Sequence, residues 1–187
     1  MNKLIVLDRD GVINEDSDNY IKSPEEYTPI PGSLEAISKL NNAGFTVVVA
    51  TNQSGLARGY FDQKTLDQMH EKLTMLLAKA GGTIDRIYVC PHGPDDNCDC
   101  RKPKPGLLLQ ILADYDVKSD DIIAIGDSLR DLQAALAVNM VPVLVRTGKG
   151  TKTEAGLKDN KQNAELYAGI EIFDNLSQAV DAVLTKD

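Results

Sequence analysis

The fold of this chain is decided by residues 4–12, LIVLDRDGV, where an apolar run ends in charged residues. Four consecutive apolar residues are typical of a strand that is covered on both faces inside a parallel sheet. The run ends at two carboxylates, Asp8 and Asp10, and Gly11 lets the backbone turn away. Because open α/β sheets bind ligands at the carboxyl ends of their strands, these two acids indicate a functional site. A solvated, Asp-rich turn is the alternative that this stretch alone leaves open.

Composition narrows the class of protein. The 187 residues are 42% hydrophobic and 5% aromatic, which predicts one domain, residues 1–187, with an aliphatic core. A net charge of -8 argues against nucleic acid or an anionic membrane as a partner. No apolar run is long enough to span a membrane, and residues 1–3 show no signal-peptide pattern. We therefore expect a cytoplasmic protein.

Short apolar runs alternate with helical patterns along the rest of the chain. Strands are predicted at 4–7, 45–50, 84–89, 122–125, 141–145 and 170–173. Helices are predicted over 31–44, from 62, over 105–115, through 132–136 and through 176–183, with a helical turn at 23–26 and a loop or loose helix over 150–169. This alternation predicts an α/β fold of three layers, in which helices cover both faces of a mainly parallel sheet.

Polar residues at the ends of several predicted strands could act together. Asp8 and Asp10 follow the first strand, Thr51 follows the second, and Asp127 follows the fourth, with Asp131 one helical turn later. Two neighbouring carboxylates repel each other unless a cation lies between them, and Mg²⁺ suits a site made only of oxygen ligands. One acid could then attack phosphorus while the other transfers protons. Each strand end taken alone also fits an ordinary turn.

A second group of ligand-type residues falls within residues 90–100. It contains all three cysteines and one of the two histidines: Cys90, His92, Cys98 and Cys100. Three thiols and one imidazole are the ligand set of a closed, structural Zn²⁺ site, and free reduced cysteines in a loop are the alternative. A metal here would also order the cations that follow, Arg101 and Lys102. The other histidine, His70, lies in a predicted helix, where we expect a surface or packing residue.

Four motifs, in this order, resemble those of the HAD (haloacid dehalogenase) phosphatases. The first is DRDGV at 8–12, and the second is represented by Thr51. The third is Lys102 within RKP at 101–103, and the fourth is GDSLRD at 126–131. The resemblance implies a three-layer, Rossmann-like HAD fold with no large cap domain and with a loop stapled by zinc.

The resemblance also implies roles for the matching residues. Asp8 would attack phosphorus and become an aspartyl phosphate, while Asp10 would protonate the leaving oxygen and then activate water. Mg²⁺ would be held by Asp8, the backbone carbonyl of Asp10 and Asp127. Thr51 and Lys102 would hold the transferring oxygens and contact the substrate. The other implied substrate contacts lie around them: Asp16, Ser17, Asp18, Asn19, Asn52, Gln53, Ser54, Arg58 and Arg101.

The zinc loop narrows the resemblance to a subfamily that contains sugar-bisphosphate phosphatases and histidinol-phosphate phosphatases. The segments ARG at 57–59 and RTG at 146–148 favour the sugar-bisphosphate enzymes, with Arg58 as a contact for the second phosphate. The implied partner is a small phosphorylated sugar bound by a monomer. A histidinol-phosphate phosphatase stays an alternative, and so does a binding module whose acids only ligate a metal.

Overall fold

The computed structural model describes residues 3–159 and 167–186, and it contains a six-stranded parallel sheet. The strands are β1 (Lys3–Leu7), β2 (Phe45–Asn52), β3 (Arg86–Cys90), β4 (Ile123–Gly126), β5 (Val141–Val145) and β6 (Glu171–Phe173). The helices are α1 (Ser33–Asn42), α2 (Gln63–Lys79), α3 (Gly106–Asp114), α4 (Leu129–Ala137), α5 (Gly150–Asp159) and α6 (Leu176–Lys186), and a 3₁₀ turn spans Ser119–Asp121.

The apolar run at the start of the chain becomes β1, at the centre of the sheet. The strand order is β3-β2-β1-β4-β5-β6, and Leu7 of β1 pairs with Val49 of β2 and Ile125 of β4. The chain moves outward from β1 to β3 and then returns to the other side of β1 with β4. This reversal opens a crevice above the carboxyl ends of β1 and β4. Asp8 enters that crevice directly, and its N–H donates to the carbonyl of Ile125 at 2.9 Å.

Alternating side chains along β1 divide the core into two layers. Ile5 and Leu7 pack in a cluster with buried residues of α1, α2 and α6, among them Ile37, Leu66, Met69, Leu176 and Val180. Leu4 and Val6 pack in a second cluster with buried residues of α3 and α4, among them Leu107, Ile111, Ala134 and Ala135. Helices therefore cover both faces of the sheet, which confirms the predicted three-layer α/β fold and its mainly aliphatic core.

The predicted elements differ from the observed ones mainly at their ends. β5 has the predicted bounds, and the other strands begin and end within two residues of the prediction. In α2 the buried face continues to Leu77, four residues after Leu73, whereas Leu76 is only half-buried. Helix α3 buries Leu107 and leaves Leu112 half-buried, and α4 buries Ala134 and leaves Leu136 exposed.

Of two polar segments, residues 23–26 form the predicted turn, and the start of 150–169 forms a helix where the sequence predicts a loop or loose helix. Residues 23–26 form a single hydrogen-bonded turn, in which the Glu26 carboxylate accepts the N–H of Lys22 at 2.8 Å rather than that of Ser23. The first half of 150–169 forms α5, while residues 160–166 of that prediction lie outside the described residues. Within the described residues, no helix is both long and apolar enough to cross a membrane.

Candidate active site

The ends of β1, β2 and β4 surround a polar pocket of about 310 Å³. Asp8 and Asp10 reach it from the turn after β1, Thr51 from the end of β2, and Asp127 from the residue after β4. The loop that carries Lys102 closes another side. Residues that are far apart in the sequence thus meet at one edge of the sheet, as their positions at strand ends predict.

Lys102 is held between two carboxylates at the floor of the pocket. Its Nζ lies 3.1 Å from Asp8 Oδ1 and 2.5 Å from Asp131 Oδ1, and it donates to the carbonyl of Ala50 at 2.8 Å. Burial opposes the charged form of this lysine, but Asp131 and Asp8 raise its pKa, so the ammonium stays charged. The N–H of Ser128 fixes Asp131 in turn, at 3.0 Å from Oδ2. Asp131 thus orients the lysine as well as lining the pocket.

Asp10 is held by three side chains, although it follows Asp8 by only two residues. The Arg9 guanidinium contacts both of its oxygens at 2.9 to 3.0 Å, and the Asn14 amide donates to Oδ1 at 2.8 Å. Gln53 Nε2 donates to Oδ2 at 2.8 Å and also lies 2.9 Å from the Thr51 hydroxyl. Burial disfavours the ionised carboxyl, but Arg9 and these amides outweigh it and lower its pKa. Gln53 therefore links two predicted catalytic residues.

Two glycines allow Asp127 to approach the turn after β1. Gly11 has a φ of +82° and Gly148 a φ of +56°, a region that disfavours residues with a Cβ. A Cβ added to either glycine would lie 2.2 Å from Asp127 Oδ2. The N–H of Lys149 donates to the same oxygen at 2.7 Å. The glycine after the two acids is therefore needed for close packing as well as for the turn.

The carboxylates of the pocket fit a divalent cation. One oxygen each from Asp8, Asp127 and Asp131 lies within 4.8 Å of the others. Burial raises the pKa of Asp8 to about 8, with Lys102 opposing, and burial together with Asp131 raises the pKa of Asp127 to about 7. A cation that offsets this crowded charge would be favoured, and oxygen-only donors suit Mg²⁺. The carboxylate of Asp10 contacts Arg9 and lies outside this group, so the predicted ligation by Asp10 depends on its backbone carbonyl alone.

The mouth of the pocket carries cations that sequence reasoning missed. Arg130 and Lys149 both line the pocket, together with the predicted Arg101. Lys149 Nζ forms an ion pair with Asp16 at 2.9 Å, whereas Arg130 has no ion pair among the described residues. The position of Arg130, three residues after Asp127 and in the first turn of α4, is the signal that could have identified it.

The predicted substrate contacts are not all in the lining of this pocket. Those that line it are Asp16, Ser17, Asp18, Asn52, Gln53, Ser54 and Arg101, joined by the unpredicted Tyr20. Asn19 is exposed outside the lining, and its N–H donates to the Ser17 hydroxyl at 3.1 Å. Arg58 is also exposed outside it, with its guanidinium 6.0 Å from the ring centroid of Tyr20.

The four zinc-type ligands form a separate cluster beside the pocket. The three Sγ–Sγ distances are 3.0, 3.6 and 3.8 Å, and His92 Nδ1 lies 3.3 Å from Cys100 Sγ and 3.7 Å from Cys90 Sγ. Zn–S bonds of about 2.3 Å in a tetrahedron place the sulfurs roughly 3.8 Å apart. The cysteines form no disulfide. The donor set fits a closed Zn²⁺ site, and two of the three Sγ–Sγ distances match the spacing of such a site, while the Cys90–Cys100 pair is closer.

The zinc loop is connected differently to the two cations that follow it. Arg101 Nη1 donates to the carbonyl of His92, one of the four ligands, at 3.2 Å. The backbone of Lys102 is instead held by the Asn52 side chain, which accepts its N–H at 3.1 Å and donates to its carbonyl at 3.0 Å. Arg101 thus depends on the loop, while Lys102 is also anchored to β2.

Comparison with known proteins agrees with this geometry. The HAD-hydrolase-like family matches residues 99–178, which contain the Lys102 and Asp127 motifs. The match covers less than half of the chain, and together with the parallel sheet and the acids at its edge it is consistent with a HAD-like hydrolase. It contains the third and fourth of the four motifs that carried the resemblance, and it does not favour the binding-module alternative.

Relatives of high identity narrow the family. The chain is 54% identical over 181 residues to the D-glycero-beta-D-manno-heptose-1,7-bisphosphate 7-phosphatase of Pseudomonas aeruginosa, covering 97% of each chain. A crystal structure of the D,D-heptose 1,7-bisphosphate phosphatase from Bordetella bronchiseptica, complexed with magnesium and phosphate, superposes with a TM-score of 0.93 at 50% identity and 99% coverage of both chains. The Burkholderia thailandensis enzyme matches with a TM-score of 0.74 at 40% identity, covering 98% of this chain and 99% of its own. The chain belongs to this family of heptose-bisphosphate phosphatases.

Proposed function

We propose that the chain hydrolyses the 7-phosphate of D-glycero-D-manno-heptose 1,7-bisphosphate and releases the heptose 1-phosphate. The observation that carries this proposal is the placement of Asp8, Thr51, Lys102 and Asp127 around one polar pocket. The identity to enzymes named for this reaction supports the choice of substrate. The product would enter the biosynthesis of nucleotide-activated heptose for lipopolysaccharide or another surface glycan.

The first chemical step follows from the contacts of Asp8. The N–H of Arg9 donates to its Oδ1 at 2.8 Å and Lys102 Nζ lies 3.1 Å from the same oxygen, whereas Oδ2 accepts no hydrogen bond from the described residues. Oδ2 is therefore the oxygen that attacks phosphorus. The new bond joins Oδ2 to phosphorus, and the bond from phosphorus to the sugar oxygen breaks. Asp10 gives that leaving oxygen a proton. The donors around Asp10 hold this carboxyl ionised before substrate binds, so the negative charge of the bound phosphate is what raises its pKa and lets it carry that proton.

The second step returns the enzyme to its starting state. Asp10 takes a proton from water as the water oxygen bonds to phosphorus. The bond from phosphorus to Asp8 Oδ2 then breaks, which frees the Asp8 carboxylate and releases inorganic phosphate. Thr51 and Lys102 hold the phosphoryl oxygens in both steps. Mg²⁺ bound by Asp8, Asp127 and the carbonyl of Asp10 would offset the charge of the carboxylate and the phosphate. The Bordetella bronchiseptica structure contains magnesium and phosphate, which supports this choice of ion.

We assign Zn²⁺ a structural role in the loop of residues 90–100. Four protein ligands complete a tetrahedron and leave no position for an activated water. The reaction already has a nucleophile in Asp8. Arg101 donates a hydrogen bond to the carbonyl of His92, one of the zinc ligands. By ordering the loop, the zinc ion would therefore hold the Arg101 guanidinium at the rim of the pocket.

The cations at the rim also favour a bisphosphate over histidinol phosphate. Arg101 and Arg130 line the pocket without an ion pair among the described residues, and they attract a second anionic group, whereas Lys149 is paired with Asp16. Histidinol phosphate would present an ammonium group there, and like charges repel. The relatives compared above are likewise named for heptose bisphosphate, so the histidinol-phosphate alternative is not supported.

Steady-state kinetics with purified enzyme and Mg²⁺ test the proposed function. The α and β anomers of heptose 1,7-bisphosphate, histidinol phosphate and p-nitrophenyl phosphate would each be assayed for phosphate release. We expect kcat/KM for one heptose bisphosphate anomer to exceed that for histidinol phosphate by at least about 10²-fold. Equal values for the two would contradict the substrate assignment, and no release from any ester would contradict the phosphatase itself.

Location and assembly stay predictions. We propose that the enzyme works as a monomer in the cytoplasm, as a single domain over residues 1–187. Three cysteines without a disulfide are consistent with a reducing compartment. Cell fractionation checks the location, and light scattering of the purified protein checks the assembly.

A further inference from the structure

Arg9 is fully buried, although it stands between two residues of the catalytic pocket. A buried guanidinium is costly unless its charge is paired and its donors are used. Its Nε and Nη2 contact both oxygens of Asp10 at 2.9 to 3.0 Å. Its remaining terminal nitrogen, Nη1, lies 3.3 Å from His70 Nε2, and the ring centroid of Tyr27 is 5.8 Å from its central carbon. All of these contacts fix one orientation of the side chain.

His70 is placed to hold Arg9 from behind. It belongs to α2, is half-buried, and lies beside a shallow groove on the outer face of that helix instead of the catalytic pocket. Because arginine can only donate, His70 Nε2 must accept, and the proton of the neutral ring is then on Nδ1. Burial and the charge of Arg9 lower the pKa of His70 to about 4, in keeping with a neutral ring.

We propose that Arg9 and His70 are positioning residues, which together hold the carboxylate of Asp10 in the orientation that it needs for proton transfer. Arg9 contacts Asp10 directly, and His70 acts only through Arg9. This inference rests on the proposed function in one respect, namely the role of Asp10 as acid and base. It extends the catalytic unit from the edge of the sheet into α2.

The contacts also distinguish the two oxygens of Asp10. Oδ1 accepts from Arg9 Nε, Arg9 Nη2 and Asn14 Nδ2, whereas Oδ2 accepts from Arg9 Nη2 and Gln53 Nε2. With three donors, Oδ1 has little remaining capacity. Oδ2 has fewer donors, and one of them, Gln53 Nε2, also lies 2.9 Å from the Thr51 hydroxyl and can turn to it. Oδ2 is therefore the oxygen that gives a proton to the leaving sugar oxygen and later takes one from water.

The experiment compares His70→Leu with His70→Gln on two classes of substrate. Leucine removes the acceptor, while glutamine supplies an amide oxygen to Arg9. Heptose 1,7-bisphosphate has a poor alkoxide leaving group that needs a proton, and p-nitrophenyl phosphate has a good one that does not. We expect His70→Leu to lower kcat for the sugar by roughly 10- to 100-fold with KM unchanged, since a small misplacement of a catalytic group has this effect. The loss on p-nitrophenyl phosphate should be below about threefold, and His70→Gln should restore most of the rate.

A double-mutant cycle with Asp10→Asn separates positioning from general damage. If His70 acts through Asp10, His70→Leu should have little further effect once that carboxylate is gone. Equal losses on the two substrates, a full loss in the Asp10→Asn background, or no rescue by glutamine would each overturn the proposal.

The milder Arg9→Lys keeps the charge but cannot contact both oxygens, so it should show the same split between substrates if His70→Leu does not fold. Failure of the proposed function can be told apart from failure of the positioning role. The wild-type enzyme would then not turn over heptose bisphosphate, and the split could still be measured with another alkyl phosphate.

Discussion

The two clusters of metal-ligating side chains in this molecule are built in opposite ways. The carboxylate cluster takes Asp8 from the residue after β1, Asp127 from the residue after β4 and Asp131 from α4, so it exists only when the sheet is assembled. The thiolate cluster takes all its ligands from residues 90–100, and only Cys90 belongs to a strand. The first depends on the global fold, and the second depends on a local turn and a metal.

The difference extends to charge and to chemistry. In the carboxylate cluster, burial raises the pKa of Asp8, and Lys102 forms an ion pair with the same carboxylate. The side chains that would bind this metal therefore also take part in the proposed reaction. The thiolate cluster supplies no group to the proposed reaction, and it contacts Arg101 through a backbone carbonyl. Removing either metal should therefore give different results: loss of turnover in the first case and weaker binding of the substrate in the second.

The largest effect is expected for Asp8→Asn in the carboxylate cluster. The variant keeps the shape of the side chain but loses the anionic oxygen, so kcat should fall by about 10⁴-fold or more. Circular dichroism should show an intact fold. The matched control is Asp99→Asn in the thiolate loop, whose side chain is 99% exposed. A variant of Asp8 with a tenth of the wild-type kcat would remove this residue from its proposed role.

The second effect separates the two metals. Brief treatment with EDTA should abolish activity, and Mg²⁺ should restore it, while zinc stays with the thiolates that prefer the softer ion. Asp127→Asn should raise the Mg²⁺ concentration for half-maximal rate by roughly tenfold or more, because one charged ligand is lost.

Metal analysis of the treated protein provides the control for this separation. It should still find about one zinc per chain, as expected for one closed site with four protein ligands. Unchanged Mg²⁺ dependence in Asp127→Asn would show that Asp127 is not a ligand. Loss of zinc in step with loss of activity would show that the two metal sites do not act independently.

The third effect concerns the thiolate cluster alone. Cys98→Ala should lose zinc and release the carbonyl of His92 that holds Arg101, while Lys102 keeps Asn52, Asp8 and Asp131. We expect KM to rise roughly thirtyfold, which corresponds to about 2 kcal/mol for a charged contact, with a much smaller change in kcat. The control is Asp95→Ala, an exposed residue of the same loop. Zinc-free protein with a wild-type KM would overturn the structural role of the ion.

The same contrast explains what the sequence could predict. The zinc ligands could be found because they are close together in the chain, and β1 could be found because a buried strand needs consecutive apolar residues. The acids Asp8 and Asp127 could be brought together because both follow strands of a parallel sheet. These inferences use positions along the backbone, which the sequence pattern determines.

Long side chains could not be placed in this way. The burial of Arg9 and its contact with His70 depend on how α2 packs over the turn after β1, which no local pattern contains. The sequence pattern alone assigns the second phosphate to Arg58 instead of Arg130 for the same reason, because tertiary packing decides where each side chain lies. Both are exposed arginines near polar residues, but only Arg130 lines the pocket, and Arg58 lies over Tyr20. Which direction a flexible side chain takes is decided by its tertiary neighbours.

The smallest effect tests whether Arg130 or Arg58 contacts the second phosphate. Arg130 lines both the catalytic pocket and the groove along the thiolate loop, so it can reach the second phosphate of the substrate. Because it is exposed, its contribution should be about 1 kcal/mol, and Arg130→Ala should raise KM for heptose bisphosphate roughly fivefold. Arg58→Ala, the matched exposed arginine, should change KM by less than about twofold, and neither variant should affect p-nitrophenyl phosphate, which has no second phosphate. A larger effect at Arg58 than at Arg130 would return the second phosphate to Arg58, and equal effects on both substrates would remove Arg130 from substrate recognition.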